Sequence, residues 1–256
     1  MKEFLEIAKQ ASLISGEIQM SHLEKTREID FKGEINIVTE VDKKCEAEIV
    51  SLIQKTYPHH DILAEEGSGV RRDSEYKWII DPLDGTTNYA HRYPLFCTSI
   101  ALEYRGEIVV GVVYEPNRKE LFEAEKGSGA FCNGQKISVS KNAQLKNSLL
   151  CTGFAYNLAQ TTNNNLDHFR KFLHQARGVR RDGVAAVDLC YVAMGRYDGF
   201  WELDLFPWDV AAGALMIREA GGVVSDFSGR EFQIYSKELL ASNRLLHPSM
   251  LQTLKR

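Results

Sequence analysis

Four stretches of the chain place carboxylates where they could do chemistry. Residues 78 to 88 read WIIDPLDGTTN: an apolar run ends in Asp81, and Asp84 follows shortly after. Two carboxylates that close repel each other unless positive charge lies between them. With Ile79 and Ile80 on a buried strand, Asp81 falls at its C-terminal end and Pro82, which cannot donate to a ladder, begins a turn. Gly85 lets the backbone turn sharply. Thr86 and Thr87 can open a helix whose first amides have no intrahelical partner, and such an N-terminus binds phosphate. Acids alone would repel a phosphate. With divalent cations between them, the arrangement becomes a metal-bridged phosphate site. The composition of DPLDG is equally that of a surface turn, and the stretch by itself leaves both readings open.

Three further acidic positions extend the pattern. In LAEEG, Glu65 and Glu66 follow an apolar run; on an extended backbone they point to opposite faces, so one of them at most serves a given face. Asp209 opens an apolar helix in PWDVAAGALM. It can cap that helix, and its apolar neighbours Phe206, Pro207 and Trp208 also make it a desolvated carboxylate in need of a partner. Asp42 ends NIVTEVD and can cap the helix that follows. None decides the matter alone; together they outweigh any one of them.

The elements that must position these acids are legible as patterns. Residues 3–24 place Phe4, Ile7, Ala11, Ile14 and Ile18 on one helical face, and residues 43–56 repeat the pattern with Cys45, Ile49, Leu52 and Ile53 before Pro58. INIVTEVD, DILAEEG and KWIID read as extended. From 95 to 140, apolar or alternating runs broken by RGE, PNRK and CNGQK predict an antiparallel meander. Beyond 148 come a strand (SLLCTGF), helices over 165–176 and 184–194, an extended YDGFWELDLF, the helix WDVAAGALMIREAGG, short strands in GGVVSDF and LLASN, and a last helix. Strand clusters alternating with helix pairs predict an α+β arrangement of layered sheets and helices.

The chain has 256 residues, 44% hydrophobic and 26% charged, with formal net charge −4. That length buries a core without disulfides or structural metal, and the charge gives no sign of a nucleic-acid or membrane-surface binder. Five cysteines, with no CxxC, read as free thiols in a reducing compartment. No apolar run reaches the roughly 18 residues of a membrane span, and MKEFLEIAKQ, with its acids and interrupted apolar residues, does not read as a signal peptide. A cytoplasmic location is expected.

WIIDPLDGTTNYAHRYP resembles the first signature of the inositol monophosphatase family, and WDVAAGALMIREAGG resembles its C-terminal signature. AEEG and NIVTEVD match the family's two upstream acidic motifs, in order and spacing, and the resemblance covers nearly the whole chain. It implies the layered αβαβα sandwich of the sugar phosphatases as a single domain, 1–256, with subdomains of roughly 1–145 and 146–256. It implies roughly two or three Mg²⁺ ions per site, lithium sensitivity and a homodimer. The residues carried over as metal ligands are Glu65, Asp81, Asp84, Asp209 and the backbone carbonyl of Leu83, with Glu66 supporting Glu65. Asp42 and Thr86 match the pair that positions and deprotonates the attacking water, and Gly85 and Thr86 offer amides to the phosphate. On the substrate side, Glu202 matches a position that binds inositol hydroxyls, and Gly183 and Ala185 line the same pocket; Asp84 and Asp209 also face substrate.

One departure bears on specificity. Many bacterial members carry a basic residue two places before the signature Trp, where this chain has Phe206; Arg180 and Arg181 are candidates to supply positive charge instead. The expected substrate is myo-inositol monophosphate or a related sugar phosphate. Relatives acting on fructose 1,6-bisphosphate, nucleotide phosphates or NADP are the alternatives. A haloacid-dehalogenase-type phosphatase would need Asp-x-Asp with the first Asp as nucleophile; here the spacing is Asp-x-x-Asp with Pro after the first. A role of another class, a catalytically idle regulator contacting the transcription machinery, is opposed by the residues, since every metal-site position holds its expected acid; contact with that machinery in addition to catalysis leaves no mark in the sequence.

Overall fold

In the computed structural model the described residues are 1–23, 30–31, 37–38, 40–155, 161 and 164–255. They form five layers. The first is a helix pair, α1 (Lys2–His22) and α2 (Glu40–Thr56). Both pack on a seven-stranded sheet of β3 (Asp61–Ala64), β4 (Tyr76–Asp84), β5 (Cys97–Tyr104), β6 (Glu107–Glu115), β7 (Glu120–Glu125), β8 (Gly129–Cys132) and β9 (Gln135–Lys136), in that spatial order. Two strand fragments between α1 and α2, β1 (Asp30–Phe31) and β2 (Ile37–Val38), pair with each other. The opposite face of the large sheet carries α5 (Ala185–Ala193) and α6 (Pro207–Glu219). Beyond them lies a five-stranded sheet, ordered β11 (Gly178–Arg180), β10 (Leu149–Thr152), β12 (Gly199–Leu203), β14 (Glu238–Ser242) and β13 (Val223–Ser225). The outer layer is α4 (Leu166–Leu173) with α7 (His247–Lys255). The expected αβαβα sandwich is therefore present, and the 95–140 segment is the antiparallel meander β5 to β9.

Strand periodicity explains why β4 is apolar without alternation. Trp78 and Ile80 pack with α1 and α2, whereas Ile79 packs with α5 and α6, so both faces are buried. Asp81 continues the Ile79 face, toward α6. That helix lies close on the sheet: a side chain at Gly111 of β6 would meet the Ala212 backbone at 3.0 Å. Ser99 of β5 donates to the Trp208 carbonyl at 3.1 Å, which ties the start of α6 to the strand beside β4.

Three local expectations need correction. β4 does not stop at Asp81. Its pairing with β5 runs Asp81 to Ser99 and then Asp84 to Cys97, so the residues between form a bulge rather than a terminal turn. NIVTEVD is extended only at Ile37–Val38; α2 begins at Glu40, which puts Asp42 inside its first turn. Acids in a first turn are stabilised by the helix dipole, and that preference outweighs the alternating pattern. Residue 39 and those around Asn36 lie outside the described residues. Finally, Glu65 and Glu66 sit in a turn after β3, so the opposite-face argument does not apply to them.

Candidate active site

The bulge in β4 is held from behind. The Pro82 carbonyl accepts from Gln19 Nε2 at 2.8 Å, with Ser15 Oγ at 3.2 Å and Thr98 Oγ1 at 3.1 Å. All three side chains are fully buried. The next carbonyl, that of Leu83, has a different partner, the Thr86 hydroxyl at 3.1 Å. Asp81 Oδ1 accepts the Leu83 amide at 3.0 Å, closing the bulge on itself. Gly85 then turns with φ +93°, which a residue with a side chain rarely adopts, and α3 (Thr86–Ala90) begins. A Cβ there would also meet Val184 at 2.8 Å.

Around this strand end is a cavity of about 340 Å³ lined by Glu65, Asp81, Leu83, Asp84, Gly85, Thr86, Gly183, Ala185, Glu202 and Asp209. Four elements thus deliver the acids: the turn after β3, the end of β4, β12 and the first turn of α6. These are the sequence-assigned ligand, phosphate and substrate positions, brought together from across the chain. Asp42 is buried beside the cavity and accepts from Thr86 Oγ1 at 3.2 Å; the same hydroxyl lies 3.1 Å from the Leu83 carbonyl.

The electrostatics are those of acids without enough counter-charge. Burial, then repulsion from Glu65, Asp84 and Asp209, pushes Asp81 well above the ordinary carboxylate range. Burial raises Asp84 to about 7, against a 2.8 Å hydrogen bond from the Ala186 amide. Burial and the Asp84 charge raise Asp209 to about 8, although its Oδ2 accepts the Phe206 amide at 2.7 Å. Asp209 is therefore both the cap of α6 and part of the cavity wall; the two sequence readings coexist. Glu202 is 8% exposed, and among the described residues no hydrogen bond reaches its side-chain carboxylate. Burial, then Asp209, raises it strongly, with Arg181 opposing.

The donor set is all oxygen: several carboxylates and one carbonyl. That is the chemistry of a hard divalent cation such as Mg²⁺. Among the described residues, Arg181 is the one cation lining the cavity, on the Glu202 side. Arg180 is exposed and absent from the lining, so of the two arginines only Arg181 is placed to act.

Some residues of the site escape a reading of the sequence. Phe154 and Leu205 join Phe206 and Trp208 as apolar lining of the cavity. Behind the substrate side, the ligand atoms of Cys151, Asp182 and Asp188 lie within 4.8 Å of one another, and Tyr197 donates its hydroxyl to Asp182. Asp188 is buried and is raised far above its ordinary value, first by burial and then by Asp182. Its place in an apolar helix, VAAVDLCYVAM, is the available signal.

The model of the inositol monophosphatase family matches residues 1–256. The chain belongs to the inositol monophosphatase family. An inositol-1-monophosphatase of Synechocystis sp. is 44% identical over 256 residues, covering 99% of this chain and 89% of that protein. The Nus factor SuhB of Pseudomonas aeruginosa is 42% identical, covering 100% and 97%. The solved inositol monophosphatase from Anabaena (Nostoc) sp. PCC 7120 superposes with a TM-score of 0.91 at 43% identity, covering 99% of this chain and 96% of that one. As an inositol monophosphatase family member the chain is a phosphoric monoester hydrolase. No helix among the described residues is long and apolar enough to cross a membrane.

Proposed function

We propose that the chain hydrolyses myo-inositol monophosphate, or a related sugar phosphate, by metal-assisted attack of water. The observation that carries this is the convergence of Glu65, Asp81, Asp84 and Asp209 on one cavity, where burial and repulsion between acids disfavour the charged forms of the three Asp. Those four carboxylates and the Leu83 carbonyl would hold Mg²⁺. Bound Mg²⁺ supplies positive charge for the phosphoryl oxygens and a more acidic water. Thr86 Oγ1 takes a proton from the attacking water while passing its own to Asp42 Oδ1, along the hydrogen bond already present. The amides of Gly85 and Thr86 receive phosphoryl oxygens. Glu202 accepts from hydroxyls of the alcohol, which gives its buried carboxylate partners beyond those the described residues supply. Gly183 and Ala185 bring backbone to the same ring, and the apolar lining excludes water.

A phosphate-release screen over sugar and nucleotide phosphates tests this. Release from inositol monophosphate is expected with Mg²⁺, abolished by a chelator and lowered by Li⁺. No release from any compound would sink the reading. A phosphoenzyme trapped on Asp81 would replace it with covalent chemistry.

Relatives named Nus factor SuhB motivate a second role beside catalysis, contact with transcription machinery. Co-purification of tagged protein with RNA polymerase tests it; recovery equal to an untagged control removes it. We also propose a cytoplasmic homodimer, to be read from light scattering and cell fractionation.

A further inference from the structure

The first turns of α2 bury a second acid besides Asp42. Glu46 lies one helical turn further on, on the same face, and is 1% exposed. A carboxylate so buried needs partners. Its partners are two backbone amides from the turn after β3: Oε2 accepts the Glu66 N–H at 2.7 Å and Oε1 accepts the Ser68 N–H at 2.8 Å. The intervening Gly67 has φ +97°, so the chain curls around the carboxylate and presents both amides to it. At the start of the same turn, the Glu65 amide donates to the Ile80 carbonyl at 3.2 Å, one residue before Asp81.

The loop is closed at its base by the Ile62 and Val70 backbones, which exchange hydrogen bonds of 2.7 and 2.8 Å, and the Glu46 carboxylate fills the curl above that pair. Gly67, Ser68 and Gly69 are exposed and bring no apolar side chain to the core. Two short hydrogen bonds to a buried carboxylate are the strong kind. One face of α2 therefore reaches the cavity twice: through Asp42 to the Thr86 hydroxyl, and through Glu46 to the turn that carries Glu65.

We infer that Glu46 is a positioning residue, fixing the turn that aims Glu65 into the cavity and so setting the affinity of the acids for a divalent cation. This rests on the reading of Glu65 and its neighbours as ligands. A side-chain amide cannot replace Glu46: one end of Gln accepts an N–H, but the other presents donors to a donor.

Mn²⁺ binding to the substrate-free protein, read from the spin resonance of free Mn²⁺, tests this without relying on activity. Glu46→Gln should raise the dissociation constant about tenfold or more, as loss of supporting hydrogen bonds does at other metal sites. At saturating Mg²⁺, kcat should stay within about threefold of wild type. Ser68→Pro deletes one of the two amides at an exposed position and should raise the dissociation constant in the same direction, which keeps the test available if Glu46→Gln does not fold. Folded variants that bind Mn²⁺ as wild type does, even with lowered melting temperature, would show a role in stability alone and overturn the inference. A wild type that binds no Mn²⁺ would remove both this inference and the ligand reading beneath it.

Discussion

The Glu202 carboxylate lies where a side chain on Gly153 would be: a Cβ built at Gly153 comes within 2.3 Å of both Glu202 oxygens. Gly153 cannot retreat, because its carbonyl accepts from Asn165 Nδ2 at 2.7 Å and Asn165 is itself bonded to Trp201 Nε1. The carboxylate is the mobile partner. Gly153→Ala should therefore leave the fold intact and push Glu202 off its position. KM for inositol monophosphate should rise about tenfold, the weight of one or two hydrogen bonds to a charged group, with Mn²⁺ affinity unchanged. Steady-state kinetics beside a metal titration checks this; a fall in metal affinity with KM constant would contradict it.

Asp209 caps α6 and lines the cavity at once, and the two roles separate in Asp209→Asn. Asn retains an oxygen to accept the Phe206 amide, so the cap survives at a cost below about 1 kcal/mol. The charge contributed to the cavity does not survive. Activity should fall at least about a hundredfold while the metal-free melting temperature holds or rises, since one source of repulsion has gone. Mg²⁺ should raise the melting temperature of wild type and do so much less in the variant. Equal Mg²⁺ shifts in both proteins would remove Asp209 from the metal site.

The parts of this site that can be read in the sequence are those where one short segment carries its own chemistry. Asp81, Asp84, Gly85 and Thr86 announce themselves because an apolar strand, two acids and a tight turn are contiguous. Asp209 shows through its apolar neighbours. Glu46 does not, because in EVDKKCEAEIV it is one charge among several, and its burial depends on a turn twenty residues away. Ser15, Gln19 and Thr98 are similarly silent: nothing local says that three polar side chains meet at one carbonyl. The start of α2 is hidden because alternation in NIVTEVD outlasts the strand. The layers follow from element order, whereas the pairing of β10 with both β11 and β12 comes only from the structure.

His247 gives the smaller sheet an acid-sensitive tie. Its ring nitrogens lie 2.9 Å from Ser225 Oγ on β13 and 2.8 Å from Ser242 Oγ on β14, and among the described residues no carboxylate is bonded to it. Burial lowers its pKa from the ordinary 6.5 to about 4. The folded state thus resists a proton that the unfolded chain accepts. The stability contributed by neutral His247 is complete above pH 6.5 and is lost as pH falls from there through 4, up to about 3 kcal/mol in all. Denaturant melts between about pH 7 and 4 should show this loss in wild type and a flatter profile in His247→Gln. Parallel profiles would assign the acid sensitivity elsewhere.

Phe206 sits at the rim of the cavity, half exposed, with its ring stacked on Trp208 at 5.0 Å and the Lys237 ammonium 5.4 Å above it. A basic side chain at this position would add a cation at the cavity rim. Here the nearby cation is Lys237, on a long exposed stem and 3.8 Å from Asp204, which partly neutralises it. The rim therefore offers apolar surface and weak positive charge, a poor match for a substrate with a second phosphate. Phe206→Arg should lower KM for fructose 1,6-bisphosphate while KM for inositol monophosphate stays within about twofold. An exposed charge pair at this range contributes about 1 kcal/mol, or roughly fivefold, and salt screens it. The gain should accordingly shrink as ionic strength rises from about 0.05 to 0.5 M. A KM change of equal size for both substrates, or one indifferent to salt, would mean that the introduced guanidinium acts by shape and not by charge.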